Sequence, residues 1–381
     1  MTALAPRSEF PVLDELTYLN TASIGLVPLR VQERAEAFDR ELAMRGTAAL
    51  DEEAEIAVFE RTRALAAELI GATADEVAIT PSATLALAQI AWWLRPRAGN
   101  NVVSVDVEFP SSTYPWFRVA EETGAEVRLV RAREDPASLS LDAIAAVVDE
   151  RTAVLCVSEV QYATGHRLDA GQLAALAHAH GATLVLDASQ SAGIVPIDVA
   201  ASDVDFLVAT AYKWLTSSFG AAVCYVAPHL VERFRPPLVG WRSAAAPYAL
   251  DAVDMSLAPS ARKLELSTSG YGAGVALGAA IEYLLGVGVE RALAHADALG
   301  ARLIDGLERL GATVLTPREA EMRAGIVTAR FPGRDGEEVA AQLNEQGIVV
   351  SPRFASTRFS LHYFNDEADV DRALDVLQTV L

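Results

Sequence analysis

Thr183-Leu184-Val185-Leu186-Asp187-Ala188-Ser189-Gln190 is the stretch on which the fold turns. The run up to Leu186 is very apolar, and it then stops on a carboxylate. A short run of this kind belongs to a strand covered on both sides. A second run, Val204–Val208, leads into Thr210-Ala211-Tyr212-Lys213-Trp214-Leu215. Outward from this pair the same rhythm repeats. Val77–Thr80, Val102–Val107, Val127–Val130, Ala153–Val157 and Ala221–Val226 read as further strands. Amphipathic stretches at Ala83–Leu94, Tyr114–Thr123, Leu141–Val148 and Ala170–His180 read as helices between them. That alternation predicts an α/β fold, a mostly parallel sheet under helices on both faces.

Upstream, apolar residues recurring at three and four predict two helices within Val31–Leu69. Past Pro236–Pro237 the rhythm changes. Helical patterns cover Gly272–Leu285 and Arg291–Leu310, strands lie near Thr313–Leu315, Ile326–Phe331 and Ile348–Ser351, and a last helix covers Ala368–Leu381. The expectation is two closely packed domains: a large one over residues 30–238, and a smaller α+β one made of residues 239–381 with residues 1–29.

The 381 residues are 51% apolar and carry a net charge of −20, which is the composition of a folded chain. That charge speaks against nucleic acid or anionic lipid as a partner, because both are gripped by clustered Lys and Arg. It leaves room for a small anion in a locally positive site. Met1–Phe10 carries Pro6, Arg7 and Glu9 and no apolar run, and the apolar stretch Gly270–Val289 is broken by Glu282. Both predict a soluble, cytoplasmic protein with no membrane span. Cys156 and Cys224 sit inside apolar runs and read as buried free thiols.

In an open parallel sheet, ligands sit at the carboxyl ends of the strands. Thr80 to Thr84, Glu108 with Phe109, Ser158 to Thr164, Asp187 to Gln190, and Thr210 to Lys213 all fall there. Asp187 alone reads equally as a helix cap. Lys213 alone reads as a surface lysine snorkelling between aromatics. Held in an apolar site, it would instead be a nucleophilic amine suited to a Schiff base. The two lie 26 residues apart, each at a strand end, and together they match what a pyridinium cofactor needs.

These motifs, Asp187-Ala-Ser-Gln190 and Thr210-Ala-Tyr-Lys213, resemble the class V branch of the fold-type I enzymes that use pyridoxal 5′-phosphate. The resemblance runs from Tyr18-Leu19-Asn20-Thr21-Ala22-Ser23 to Arg358–Asn365. It implies a Schiff base and proton shuttle at Lys213, a pyridine-nitrogen partner in Asp187, and Gln161 and Gln190 near the ring hydroxyl. It implies phosphate contacts from Ser82, Ala83, Thr84, Thr210 and Tyr212. Taken alone, Ser82-Ala83-Thr84 reads as an ordinary helix cap. Phe109 stands where desulfurases of the family carry a ring-stacking His; it can stack but cannot carry a proton, and its alternative is core packing. Thr268, in Leu264-Glu265-Leu266-Ser267-Thr268, matches a residue that reaches the phosphate of the neighbouring subunit, which implies a homodimer with shared active sites. Arg358, with Asn20 and Ser23, matches the substrate side, where a guanidinium fork takes the α-carboxylate; the alternative is a surface arginine.

Other patterns carry less. The six histidines show no metal-ligand spacing, so no metal is expected, and His166 reads as a solvated loop residue rather than a substrate contact. Family desulfurases carry a nucleophilic Cys before the carboxylate-binding arginine, where this chain has Ser351-Pro-Arg-Phe-Ala-Ser-Thr357. A persulfide-forming desulfurase is therefore not expected. Arg353 in that loop is either a contact for a second anionic group of the substrate or a rim charge. The favoured reaction on a small amino-acid substrate is Cα deprotonation through an external aldimine, followed by β-elimination at a C–S or C–N bond. Transamination is the alternative, with epimerisation or decarboxylation-coupled deamination after it.

Overall fold

The computed structural model describes residues 1–135 and 138–381. The N-terminal segment supplies β1 (Thr17–Tyr18), α1 (Leu29–Arg45) and α2 (Glu52–Ile70). Next come β2 (Val77–Thr80), α3 (Ala83–Leu94), β3 (Asn101–Val105), α4 (Tyr114–Thr123), β4 (Glu126–Val130), α5 (Leu141–Ala145) and β5 (Thr152–Ser158). They are followed by α6 (Ala170–Ala179), β6 (Thr183–Asp187), β7 (Phe206–Thr210), β8 (Ala222–Val226) and α7 (Pro228–Val231). The C-terminal part holds α8 (Tyr271–Val287), α9 (Val289–Arg309), β9 (Thr313–Val314), β10 (Ile326–Arg330), α10 (Gly336–Glu345), β11 (Ile348–Val349), β12 (Ser351–Arg353), β13 (Ser356–Ser360) and α11 (Glu367–Val380).

Seven strands form the large sheet in the order β2-β8-β7-β6-β5-β3-β4. All run the same way except β8, which is antiparallel to both neighbours. The architecture is α/β of fold type I. Leu184, Val185, Leu186, Phe206, Leu207 and Val208 have no solvent exposure, as strands covered on both faces require. Each such aliphatic side chain contributes roughly 1.5–3 kcal/mol through burial. Ser82 starts α3 by accepting the Leu85 N–H on its hydroxyl (3.2 Å), and Gly124 ends α4 in a left-handed conformation. The direction of β8 follows from the connection before it. A parallel return needs a crossover of a dozen or more residues, whereas only residues 211–221 join β7 to β8. Lys213 lies in that tight return.

The second sheet is antiparallel, β12-β13-β10-β9, and β1 pairs in parallel with β11. Several boundaries shift. The run at Val204–Val208 becomes a strand two residues later, at Phe206–Thr210; Asp205, just before it, accepts the N–H of Leu184 on the neighbouring β6 (2.8 Å). Val102–Val107 becomes Asn101–Val105. Leu141–Val148 shortens to Leu141–Ala145. Ile348–Ser351 divides between β11 and β12, which belong to different sheets. Among the described residues, no single helix is long and apolar enough to cross a membrane.

Candidate active site

Strand register assembles the site. Ser158 pairs with Asp187 and Asp187 with Val208, so the ends of β5, β6 and β7 lie side by side. Thr80 and Thr210 both face Ala222 across β8, which brings the end of β2 to the same edge. The pocket there is lined by Ser82, Ala83, Thr84, Phe109, Ser111, Ser158, Tyr162, Asp187, Ser189, Gln190, Thr210, Tyr212 and Lys213.

Lys213 is 8% exposed, and its Nζ has no hydrogen bond or ion pair to any described residue. The Nζ lies 5.3 Å from the Phe109 ring centroid and 5.9 Å from that of Tyr212. Burial pulls its ammonium down from 10.5 to about 8; Asp187 opposes this, while Arg358 and Arg353 add to it. A fraction of the amine is therefore neutral and nucleophilic near pH 7. The lysine loop is held from several sides. Gly25 donates its N–H to the Tyr212 carbonyl (2.7 Å), and a Cβ on Gly25 would lie 2.0 Å from the Lys213 carbonyl oxygen. Trp214 donates to Gln190 Oε1 (2.7 Å), and its carbonyl accepts from His362 Nε2 (2.9 Å). Thr216 closes the turn at φ 50°, an uncommon conformation for a β-branched residue.

Asp187 is buried and fixed in orientation. Ser112 Oγ donates to its Oδ2 (2.7 Å), and the Ser189 N–H to its Oδ1 (2.9 Å). Each oxygen thus accepts one hydrogen bond and keeps further acceptor capacity, and Asp187 lines the pocket. At the far end, α3 opens with backbone N–H groups that its own helix cannot satisfy, and Thr84 Oγ1 hydrogen-bonds Ser111 Oγ (2.7 Å). With Ser82 and Thr210 they form an edge suited to a dianion.

Glu108 lies beneath the wall. It accepts from the Ser158 N–H (2.8 Å), the Ser158 hydroxyl and Gln161 Nε2 (2.6 Å). Burial pushes its carboxyl up to about 7 against those hydrogen bonds, and the Asp187 charge adds to the rise. Phe109 is 45% exposed and meets Tyr162 edge-on at 5.8 Å, so it walls the pocket instead of packing in the core.

On the outer side, Arg358 is fully buried. It donates through Nη1 to the Tyr162 carbonyl (2.7 Å) and through Nη2 to Ser23 Oγ (2.6 Å). Ser23 Oγ hydrogen-bonds Ser351 Oγ (3.0 Å), and Ser351 Oγ donates to Asn20 Oδ1 (2.8 Å). Asn20, Ser23 and Arg358, far apart in the chain, thus meet beside the pocket.

Two predicted residues sit differently from expectation. Gln161 does not line the pocket; its Nε2 is tied to Glu108, and its buried Oε1 has no partner among the described residues. Gln190 lines the pocket, yet its amide is shared between Trp214 and the Ala22 carbonyl (3.0 Å). Thr268, expected to reach the phosphate of a neighbouring subunit, is exposed and outside this chain's own pocket. His166, expected in solvent, is 3% exposed; Gly165, at φ 76°, packs so tightly on β10 that a Cβ would meet the Ile326 carbonyl at 2.6 Å. Lys213 and Arg358 are not the surface residues that their isolated readings allowed. Ser111 and Ser112 complete the site beyond the residues that the sequence pointed to, and Tyr162 and Ser189, inside the strand-end stretches, join it without a role assigned from the sequence. Ser189, inside the Asp187 motif, was findable; Ser112 was not, being 75 residues from its partner.

The Aminotransferase class-V family model matches residues 17–373. The chain is 30% identical to a probable cysteine desulfurase of Streptomyces coelicolor, over 99% of this chain and 96% of the relative. It is 30% identical to the isopenicillin N epimerase of Streptomyces clavuligerus, over 95% and 94%. The solved cysteine desulfurase of Thermococcus onnurineus superposes with a TM-score of 0.88 at 25% identity, covering 98% of this chain and 96% of that one. The similarity to cysteine desulfurases gives no support to the expectation that the chain is not a persulfide-forming desulfurase.

Proposed function

The chain belongs to the class-V aminotransferase family and is a pyridoxal 5′-phosphate-dependent enzyme, and on that premise we propose that it removes the α-proton of an amino acid and cleaves a C–S or C–N bond at Cβ. One observation carries the reading: a buried amine without an acceptor among the described residues shares a pocket with a carboxylate fixed at the end of the neighbouring strand. When bound, the cofactor supplies an electron sink that makes the substrate's α-proton acidic. Lys213 offers its neutral amine for attachment and then takes and returns a proton at Nζ. Asp187, oriented by Ser112 and Ser189, presents a carboxylate to a protonated ring nitrogen. Phe109 offers a stacking face, while Ser82, Ala83, Thr84, Thr210 and Tyr212 hold the phosphate end. Gln161 and Gln190 support the region of the ring hydroxyl, Gln161 through Glu108. Arg358, supported by Ser23 and Asn20, clamps the α-carboxylate.

Thr268, exposed and outside its own pocket, supports a homodimer in which it serves the partner's phosphate site. The division into residues 30–238 and residues 1–29 with 239–381 belongs to the same reading; the pairing of β1 with β11 supports it.

Two observations bear on the reaction. The segment 351–357 forms a hairpin without cysteine, and Cys156 and Cys224 are buried, the latter with its thiol pushed up to about 12 by desolvation. That favours elimination over persulfide transfer to this chain's own thiol. The relatives' names keep desulfuration, transamination and epimerisation as competitors. Holo-protein mixed with an amino-acid panel separates them. Keto acid with ammonia is the expected result. Keto acid without ammonia, together with pyridoxamine phosphate, would mean transamination. Sulfur release that leaves alanine would mean desulfuration.

A further inference from the structure

Two guanidinium groups converge on one hydroxyl beside Tyr162, which lines the pocket. Arg358 Nη2 lies 2.6 Å from Ser23 Oγ, and Arg353 Nη2 lies 3.1 Å from the same atom. Ser23 is thereby saturated: both lone pairs accept from arginine and its proton goes to Ser351, whose proton goes to Asn20. Neither arginine has a carboxylate within 4.0 Å among the described residues. Each keeps a buried Nε with no hydrogen-bond partner. Arg358 is fully buried and Arg353 half-buried. A desolvated cation without a counter-ion is costly, and two side by side repel each other. Arg353 is also held in place. Its Nη1 is tied to the Pro352 carbonyl (2.6 Å), and its guanidinium lies 5.9 Å from the Tyr162 ring centroid. In a chain of net charge −20, Arg353 and Arg358 thus stand close enough to Lys213 for their charges to act on its ammonium. An α-carboxylate on Arg358 neutralises one of the two guanidinium groups and leaves the other.

We propose that the substrate is an amino acid with a second anionic group on its side chain, a carboxylate or a sulfonate, bound by Arg353 while Arg358 holds the α-carboxylate. This rests on the amino-acid reading of the site given above. Arg353 is a specificity-determining residue, because an uncharged substrate side chain would leave its charge without a counter-ion and its Nε–H without an acceptor.

The test uses the full-length holo-protein and reads binding from the change in its visible cofactor band. The probes are isosteric pairs, L-glutamate against L-glutamine and L-aspartate against L-asparagine, with L-cysteate as the sulfonate. The acidic member of at least one pair should bind about tenfold or more tightly than its amide. In Arg353→Met that ratio should collapse toward one, and in Arg353→Lys it should persist in part. Arg358→Met should weaken both members of the pair. Equal affinity within every pair for the native protein would overturn the inference. So would an Arg353→Met protein that weakens acidic and neutral members alike, which would make the two arginines a single α-carboxylate clamp. A native protein with neither the visible band nor a borohydride-reducible adduct would sink the cofactor reading itself, an outcome distinct from a band without acidic preference.

Discussion

The chain contains two lysines, Lys213 and Lys263, and both are buried. They differ in what meets the ammonium. Lys263 donates to the Val231 carbonyl (2.8 Å) and the Phe234 carbonyl (3.4 Å), at the end of α7 and just past it. Lys213 has no acceptor among the described residues, only the rings of Phe109 and Tyr212 and the field of Asp187. Burial lowers the pKa of both. Hydrogen bonds make the first a tie between loops; their absence leaves the second available for chemistry. Burial therefore does not identify a reactive lysine, whereas an unmet donor in a pocket does.

The contrast breaks most visibly under substitution. Lys213→Ala should lose on the order of 10³-fold or more in turnover, and the visible cofactor band with it, at a melting temperature close to that of the native protein. Asp187→Ala should follow, with a loss of about 10²-fold, and Asp187→Glu should recover part of it. Equal rates for the two would remove the assigned role. Lys263→Met should invert the pattern. It leaves two carbonyls unpaired, so denaturation should register about 1–3 kcal/mol of lost stability while turnover stays within about twofold. Last, the rate at which the cofactor-free protein takes up pyridoxal phosphate should rise with pH, with a midpoint near 8, because raising the pH neutralises the Lys213 amine. A midpoint near the ordinary lysine value of 10.5 would show that Nζ is not desolvated before the cofactor arrives.

Much of this contrast is legible in the residues alone. The apolar run up to Leu186 fixes a doubly covered strand, and α3 and α4 begin and end where their caps and periodicity put them. Asp187 and Lys213 stand out because each follows a run that has no other use for charge. What cannot be read depends on partners distant in sequence. Nothing near Ser112 or Ser23 announces that one orients Asp187 and the other joins two arginines. Arg353 allows two readings, rim charge or anion contact, until the hydroxyl it shares with Arg358 and its unpaired Nε favour the second. A Thr-Gly-His loop looks solvated, yet β10 closes over Gly165 and buries His166. Lys263, between Arg262 and Leu264, gives no hint that backbone carbonyls wait 29 and 32 residues upstream.

With two lysines in the chain, the decisive measurement has two possible answers. Holo-protein is reduced with borohydride, digested, and the pyridoxyl group located by mass spectrometry. The group is expected on the peptide containing Lys213 and absent from the one containing Lys263. A label on Lys263, or on neither lysine of a protein that shows the visible band, would contradict the account.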